Sequence, residues 1–142
     1  MRRFALTLVL LFAHLNARAD EAELFFNAQV LPILKNRCYE CHSREHRVEG
    51  GLALDKRSDW EIGGDHGPAV TPGNLRKSPL VHSIRHLDSN SAMPPKKKLP
   101  SIEIALLETW VLLGAPDPRS DEQRRQRKTP QAPSTGAPGA SK

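Results

Sequence analysis

Cys38-Tyr39-Glu40-Cys41-His42 places two thiols three residues apart and an imidazole directly after the second. Two thiols at this spacing on a tight turn reach the two vinyl groups of one haem and form thioethers. The next side chain then falls under the iron, where its imidazole is a proximal ligand. The run is the c-type haem attachment signature, and it makes Cys38, Cys41 and His42 the first cofactor-binding residues. Cys38 and Cys41 are the only cysteines in the chain, and a disulfide between them would close a tiny loop and stabilise little elsewhere.

The second axial ligand must come from elsewhere. Beyond the first residue, Met93 is the only methionine, fifty-one residues after His42, in Ser91-Ala92-Met93-Pro94-Pro95. A lone methionine is often a gap-filler in a core. This one lies in a stiff proline-rich loop rather than on a periodic apolar face, which marks it as the sixth ligand. A thioether there raises the reduction potential relative to bis-histidine ligation. His46, His66, His82 and His86 compete for the role. His66, in Gly64-Asp65-His66-Gly67, is the best of them because its glycine-rich loop can fold over the haem. His82 and His86 are four apart on a predicted helix, a spacing that also grips metal ions but more often is surface.

Outward from the motif, residues 20–37 read as a helix, with Phe26, Val30, Ile33 and Leu34 on one face. Pro32 inside this pattern predicts a kink or split. Residues 43–75 are punctuated by Gly50-Gly51, Gly63-Gly64, Gly67-Pro68 and Pro72-Gly73 and read as turns and irregular backbone. A short helix is predicted over 79–86, with Ser78 as N-cap and Pro79 at its first position. A loop follows over 87–100. The last helix is predicted over 102–113, capped by Ser101, favoured by Glu103 at its N-terminal end and stopped by Gly114. Its apolar residues cover most of its circumference, which predicts burial or contact with a large apolar ligand. Trp60 and Trp110 are the large aromatics, suited to a core or to packing on the haem.

The ends differ from the middle. Arg2 and Arg3 precede an apolar run over 4–13, and Ala17-Arg18-Ala19 supplies a cleavage site. Residues 1–19 therefore read as a secretory signal peptide, cut before Asp20. The run is about half the roughly 20 residues of a membrane span, so no span is expected after cleavage. Residues 119–142 contain no aliphatic residue larger than Ala and read as a disordered basic tail. The formal charge of +5 resides in these ends: residues 20–118 carry 12 basic and 14 acidic side chains. A nucleic-acid role read from the high pI dissolves accordingly. The folded part, 20–118, is about a hundred residues and rich in loops. A domain of that kind usually needs a staple, which a buried cofactor supplies. Lys96-Lys97-Lys98 follows the Met93 loop and is either plain solvated surface or a patch that steers an acidic redox partner.

Taken together, Val30-Leu31-Pro32-Ile33-Leu34, the Cys38–His42 motif, Gly50-Gly51-Leu52, Gly63-Gly64-Asp65-His66-Gly67-Pro68, Pro72-Gly73, Ile84-Arg85-His86, Met93-Pro94-Pro95 and Gly114-Ala115-Pro116 resemble the planctomycete-type cytochrome c domain. The resemblance runs from Leu24 to Pro118. It implies a mostly α, class I-like cytochrome c fold, with helices packed around one covalently attached haem and long irregular loops. It also implies His42 and Met93 as axial ligands. Members often carry the domain at the start of a longer exported protein, so a free-standing chain and a truncated part of a larger redox enzyme are both open.

The function expected is electron transfer by an exported mono-haem cytochrome in the periplasm or another extracytoplasmic space. A haem with both axial positions filled has no site for oxygen or peroxide, so no enzymatic activity is expected. A haem peroxidase or sensor with a displaceable Met93 is the alternative. A thiol–disulfide oxidoreductase using Cys38 and Cys41 would need alternating strands and helices around the motif, which this sequence lacks. A structural zinc site would need a second ligand pair.

Overall fold

The computed structural model describes residues 20–119; the signal-peptide and tail readings, over 1–19 and 120–142, lie outside them. The described residues are helical, with no strands and only two isolated β-bridges, His42–Val48 and Gly64–Gly67. No described helix is long and apolar enough to cross a membrane.

The first described residues, 20–37, are helical throughout. Residues 20–25 form α1, Phe26–Val30 a π-helical turn, and Leu31–Arg37 helix α2. Of the kink or split that Pro32 predicts, the split does not occur; the departure from α geometry is the π-helical turn just before it. Pro32 sits in the first turn of α2, and the backbone stays helical through Val30 (φ −83°, ψ −49°) and Leu31 (φ −58°, ψ −41°). A proline ring clashes with the carbonyl four residues before it. The wider π turn just upstream absorbs that conflict without ending the helix.

Residues 43–77 are irregular, as their glycines dictate, but they enclose a helix that the sequence does not announce, α3 (Arg57–Ile62). It ends at Gly63, whose φ of 81° and ψ of −163° exclude a side chain. A Cβ there would lie 1.7 Å from the Gly67 carbonyl oxygen, and one on Gly64 2.2 Å from that of Gly50. Both glycines are needed because two loop segments cross at backbone contact.

Helix α4 (Pro79–Arg85) matches the prediction within a residue. Ser78 occupies the N-cap position but does not cap. Its buried hydroxyl accepts from Thr71 N (2.9 Å) and donates to Asn74 O (2.7 Å), closing the 71–77 loop instead. Helix α5 (Ser101–Leu112) begins one residue earlier than predicted, with Pro100 rather than Ser101 at the N-cap, and the chain turns away at Gly114 (φ 89°). Burial is not all round. Leu107, Trp110 and Val111 are in the core, whereas Ile102, Leu112 and Leu113 are more than half exposed.

The core joins the first and last helices. Phe26 of the π turn meets Trp110 of α5 at 6.0 Å between ring centroids, and Trp60 of α3 stands edge-on to Trp110 at 5.6 Å and 80°. All three rings are at most 1% exposed. Each indole N–H finds an acceptor, as buried tryptophan requires: Trp110 donates to Pro116 O (2.9 Å) and Trp60 to Asp117 Oδ2 (3.1 Å). Asp117 also takes the Arg119 guanidinium (2.5 Å), which stacks 4.9 Å from the Phe26 ring centroid and donates to the Tyr39 hydroxyl. Packing thus extends one residue past the predicted boundary at Pro118, and it anchors Tyr39, the first of the two residues between the cysteines.

Candidate haem-attachment site

The attachment motif continues the last turn of α2. Cys38 N–H and Tyr39 N–H both donate to Leu34 O (2.9 and 3.0 Å). Cys41 N–H and His42 N–H both donate to Cys38 O (3.1 and 2.8 Å). The chain therefore keeps a helical turn through the motif, which puts Cys38, Cys41 and His42 on one compact loop. Both thiols are free and half-buried. Tyr39 is turned towards the Asp117–Arg119 pair, and Ser43 Oγ donates to Tyr39 O (2.8 Å), so the loop is pinned from both sides.

His42 is held at both its backbone and its ring. Its carbonyl accepts from Leu54 N–H (2.9 Å), and its ring Nδ1 lies 3.2 Å from Leu52 O. A carbonyl only accepts, so Nδ1 carries the proton, and in the neutral ring Nε2 has the lone pair. That is the arrangement of a metal-ligating histidine: one ring nitrogen fixed on a backbone carbonyl, the other presented as a donor atom. The loop that supplies Leu52 is fixed in turn. Arg44 grips the nearly buried Asp59 of α3 with its fork (Nη2–Oδ1 2.7 Å), and Asp65 N–H donates to Gly50 O (2.9 Å). The donor set of two thiols and one fixed imidazole fits a c-type haem. It suits zinc poorly, since no group of three or more His, Cys, Asp or Glu residues that could hold a metal occurs among the described residues.

The thiol environment separates the haem reading from a redox dithiol. Cys38 packs against the hydrophobic core, and burial pushes its pKa up to about 12, with Glu103 adding to the rise. A dithiol oxidoreductase needs a stabilised thiolate, and this thiol stays protonated at neutral pH. The raised pKa carries a prediction for the haem-free protein. The unfolded thiol ionises near 9.0 and the folded one near 12. Between those values the folded state holds the extra proton, so stability is fully present below about pH 9 and falls as pH rises towards 12. Tyr39, raised from 10.0 to about 12 by burial above all, acts in the same direction. Denaturant titrations from pH 8 to 11 should show this alkaline loss. A thioether does not titrate, so the loss should be smaller in haem-loaded protein.

Met93 lies in the 87–100 loop. Its side chain is 38% exposed and takes no part in the core, so it is not the gap-filler a lone methionine often is. The next residue, Pro94, lines a cavity of about 230 Å³ together with Arg37, Lys96, Lys97, Lys98 and Leu99. Arg37 immediately precedes Cys38, so this cavity separates the segment leading into the attachment motif from the segment leaving Met93. Arg37 itself is anchored by a two-pronged pair with Glu103 of α5 (3.0 and 2.8 Å). The competing histidines are placed differently. His46, His66 and His82 are exposed, and His86 turns its ring to Met93 O (3.2 Å).

Sequence reasoning missed two parts of the site: the Leu52 carbonyl that orients His42, and the Asp117–Arg119 pair behind Tyr39. A backbone acceptor has no sequence signature. The acid could have been sought, because a buried indole such as that of Trp60 demands a partner.

A small helical domain with a fixed imidazole beside two free thiols on one turn is consistent with a cytochrome c-like fold. Residues 38–97 match the family model described as Planctomycete cytochrome C, and over that segment the chain is similar to the family its motifs resemble. The match begins at Cys38 and is narrower than the resemblance from Leu24 to Pro118. No curated protein and no solved structure matches the chain.

Proposed function

We propose that this protein is an exported mono-haem c-type cytochrome that transfers electrons and catalyses no reaction of its own. The observation that carries the reading is the His42 ring, fixed through Nδ1 on Leu52 O, on the same turn as Cys38 and Cys41. Cys38 and Cys41 would hold the haem as thioethers, His42 would be the proximal ligand and Met93 the distal one. When bound, the haem supplies a one-electron iron couple. The protein's own part is to hold both ligands on a rigid frame, so that little rearranges when the charge changes.

Export is supported by the signal-like sequence of residues 1–19 and by the family, whose covalent attachment belongs to oxidising compartments. Lys96, Lys97 and Lys98 are exposed around the cavity that Pro94 lines. They favour an acidic redox partner, with an attraction that weakens as salt rises.

A redox titration tests the proposal. One haem per chain should give a single wave of about 59 mV per decade, the one-electron slope, with no binding of peroxide to the ferric form. Two waves, or ready peroxide binding and turnover, would refute a simple carrier.

A further inference from the structure

We propose that His86 is the positioning residue for Met93, and that its ring sets how easily Met93 is displaced from iron; the inference rests on the reading of Met93 as sixth ligand. Helix α4 closes with Leu87 N–H donating to His82 O (3.2 Å) and His86 N–H to Ser83 O (3.1 Å), and His86 itself is left-handed at φ 56°, ψ 44°. This closure is usually made by glycine, because a Cβ is unfavourable there. The chain instead places a histidine at the position, and the left-handed turn lets its ring reach Met93. Nε2 lies 3.2 Å from Met93 O. The carbonyl can only accept, so Nε2 carries a proton. Met93 N–H donates to Ser83 O (3.0 Å). Both polar backbone atoms of Met93 are thus tied to the last turn of one helix.

That helix is a firm support. Val81 and Ile84 are buried, and Arg85 Nε pairs with Glu108 of α5 at 2.6 Å. The Met93 side chain, by contrast, is partly exposed and outside the core. Its position is therefore governed by its backbone, and the backbone by His86 and Ser83. The two residues that follow, Pro94 and Pro95, add no backbone donor.

The test uses the haem-loaded full chain and imidazole as the displacing ligand. His86→Gly removes the ring and relieves the left-handed strain. Imidazole should then bind the ferric protein about fivefold more tightly, the equivalent of one hydrogen bond of about 1 kcal/mol, and the far-red sulfur–iron band should weaken, while the melting temperature stays at or above that of the wild type. His86→Gln keeps an N–H at similar reach and should stay within about twofold of wild type by the same argument. An unchanged imidazole affinity in H86G, beside a wild-type sulfur–iron band, overturns the proposal alone. An affinity gain that H86Q shares and that comes with a lowered melting temperature marks general loosening and also overturns it. A wild type with no sulfur–iron band overturns the Met93 reading, and this proposal with it.

Discussion

Met93→Ala is expected to lower the reduction potential by a few tenths of a volt, a sizeable part of the roughly 0.8 V over which axial-ligand identity tunes haem proteins. Thioether ligation favours the reduced iron; its loss leaves water, hydroxide or a nearby histidine to fill the site. The far-red sulfur–iron band should disappear from the oxidised spectrum, and the ferric protein should gain affinity for small ligands. The fold should hardly respond, because the side chain is 38% exposed and outside the core. A large change in potential with a small change in melting temperature is the signature of a ligand. The reverse would be that of a core residue. If the potential stays put, the sixth ligand is another group, and His66 is the first to examine, being exposed on a glycine-rich loop.

Asp117→Ala should have the largest effect on stability. The Asp117 carboxylate is fully buried and Arg119 is only 18% exposed. Alanine would strand a guanidinium between Phe26 and Tyr39, and leave the Trp60 indole without an acceptor. Removing one partner of a buried pair costs about 3–5 kcal/mol, a large share of the 5–15 kcal/mol typical of a whole domain. For a domain of about this size, melting should fall by more than about 10 °C. Asp117→Asn, which keeps an acceptor for Trp60, should fall less. The exposed Arg57–Glu61 pair (2.6 Å, one helical turn apart) is the control, because such pairs contribute only about 0.3–0.5 kcal/mol. Thermal melts followed by circular dichroism would check all three. An Asp117→Ala loss no larger than that of Glu61→Ala would mean that Arg119 swings into water and the pair does not secure the motif loop.

The parts of the fold legible in the sequence are those set by local chemistry. Helix α4 follows from Pro79 and from the apolar Leu80, Val81 and Ile84, and α5 from its apolar run and Gly114. The turns over 43–75 follow from glycines that no other residue replaces, as the crossing at Gly63 and Gly64 shows. The haem motif needs only spacing. What stayed hidden depends on distant partners. Helix α3 has six residues and no time to show a period; it is held by Trp60 meeting Trp110 and by Asp59 meeting Arg44. Arg119 sits at the head of a run with a tail's composition, yet its guanidinium packs on Phe26 and Asp117, eighty residues from its Tyr39 partner. The left-handed His86 reads as one more helical residue until its ring is seen at Met93. Pro32 signals an irregularity but not its form: the helix is not split, and a π turn takes up the conflict.

The central claim is that Cys38 and Cys41 carry haem covalently. It is tested most directly by producing the chain in a host with a c-type maturation system, extracting loose haem with acid–acetone, and recording the reduced absorption spectrum. The account predicts that a c-type spectrum survives extraction in the wild type and is lost when both cysteines are replaced by alanine. A well-folded wild-type protein left without haem after extraction would contradict it.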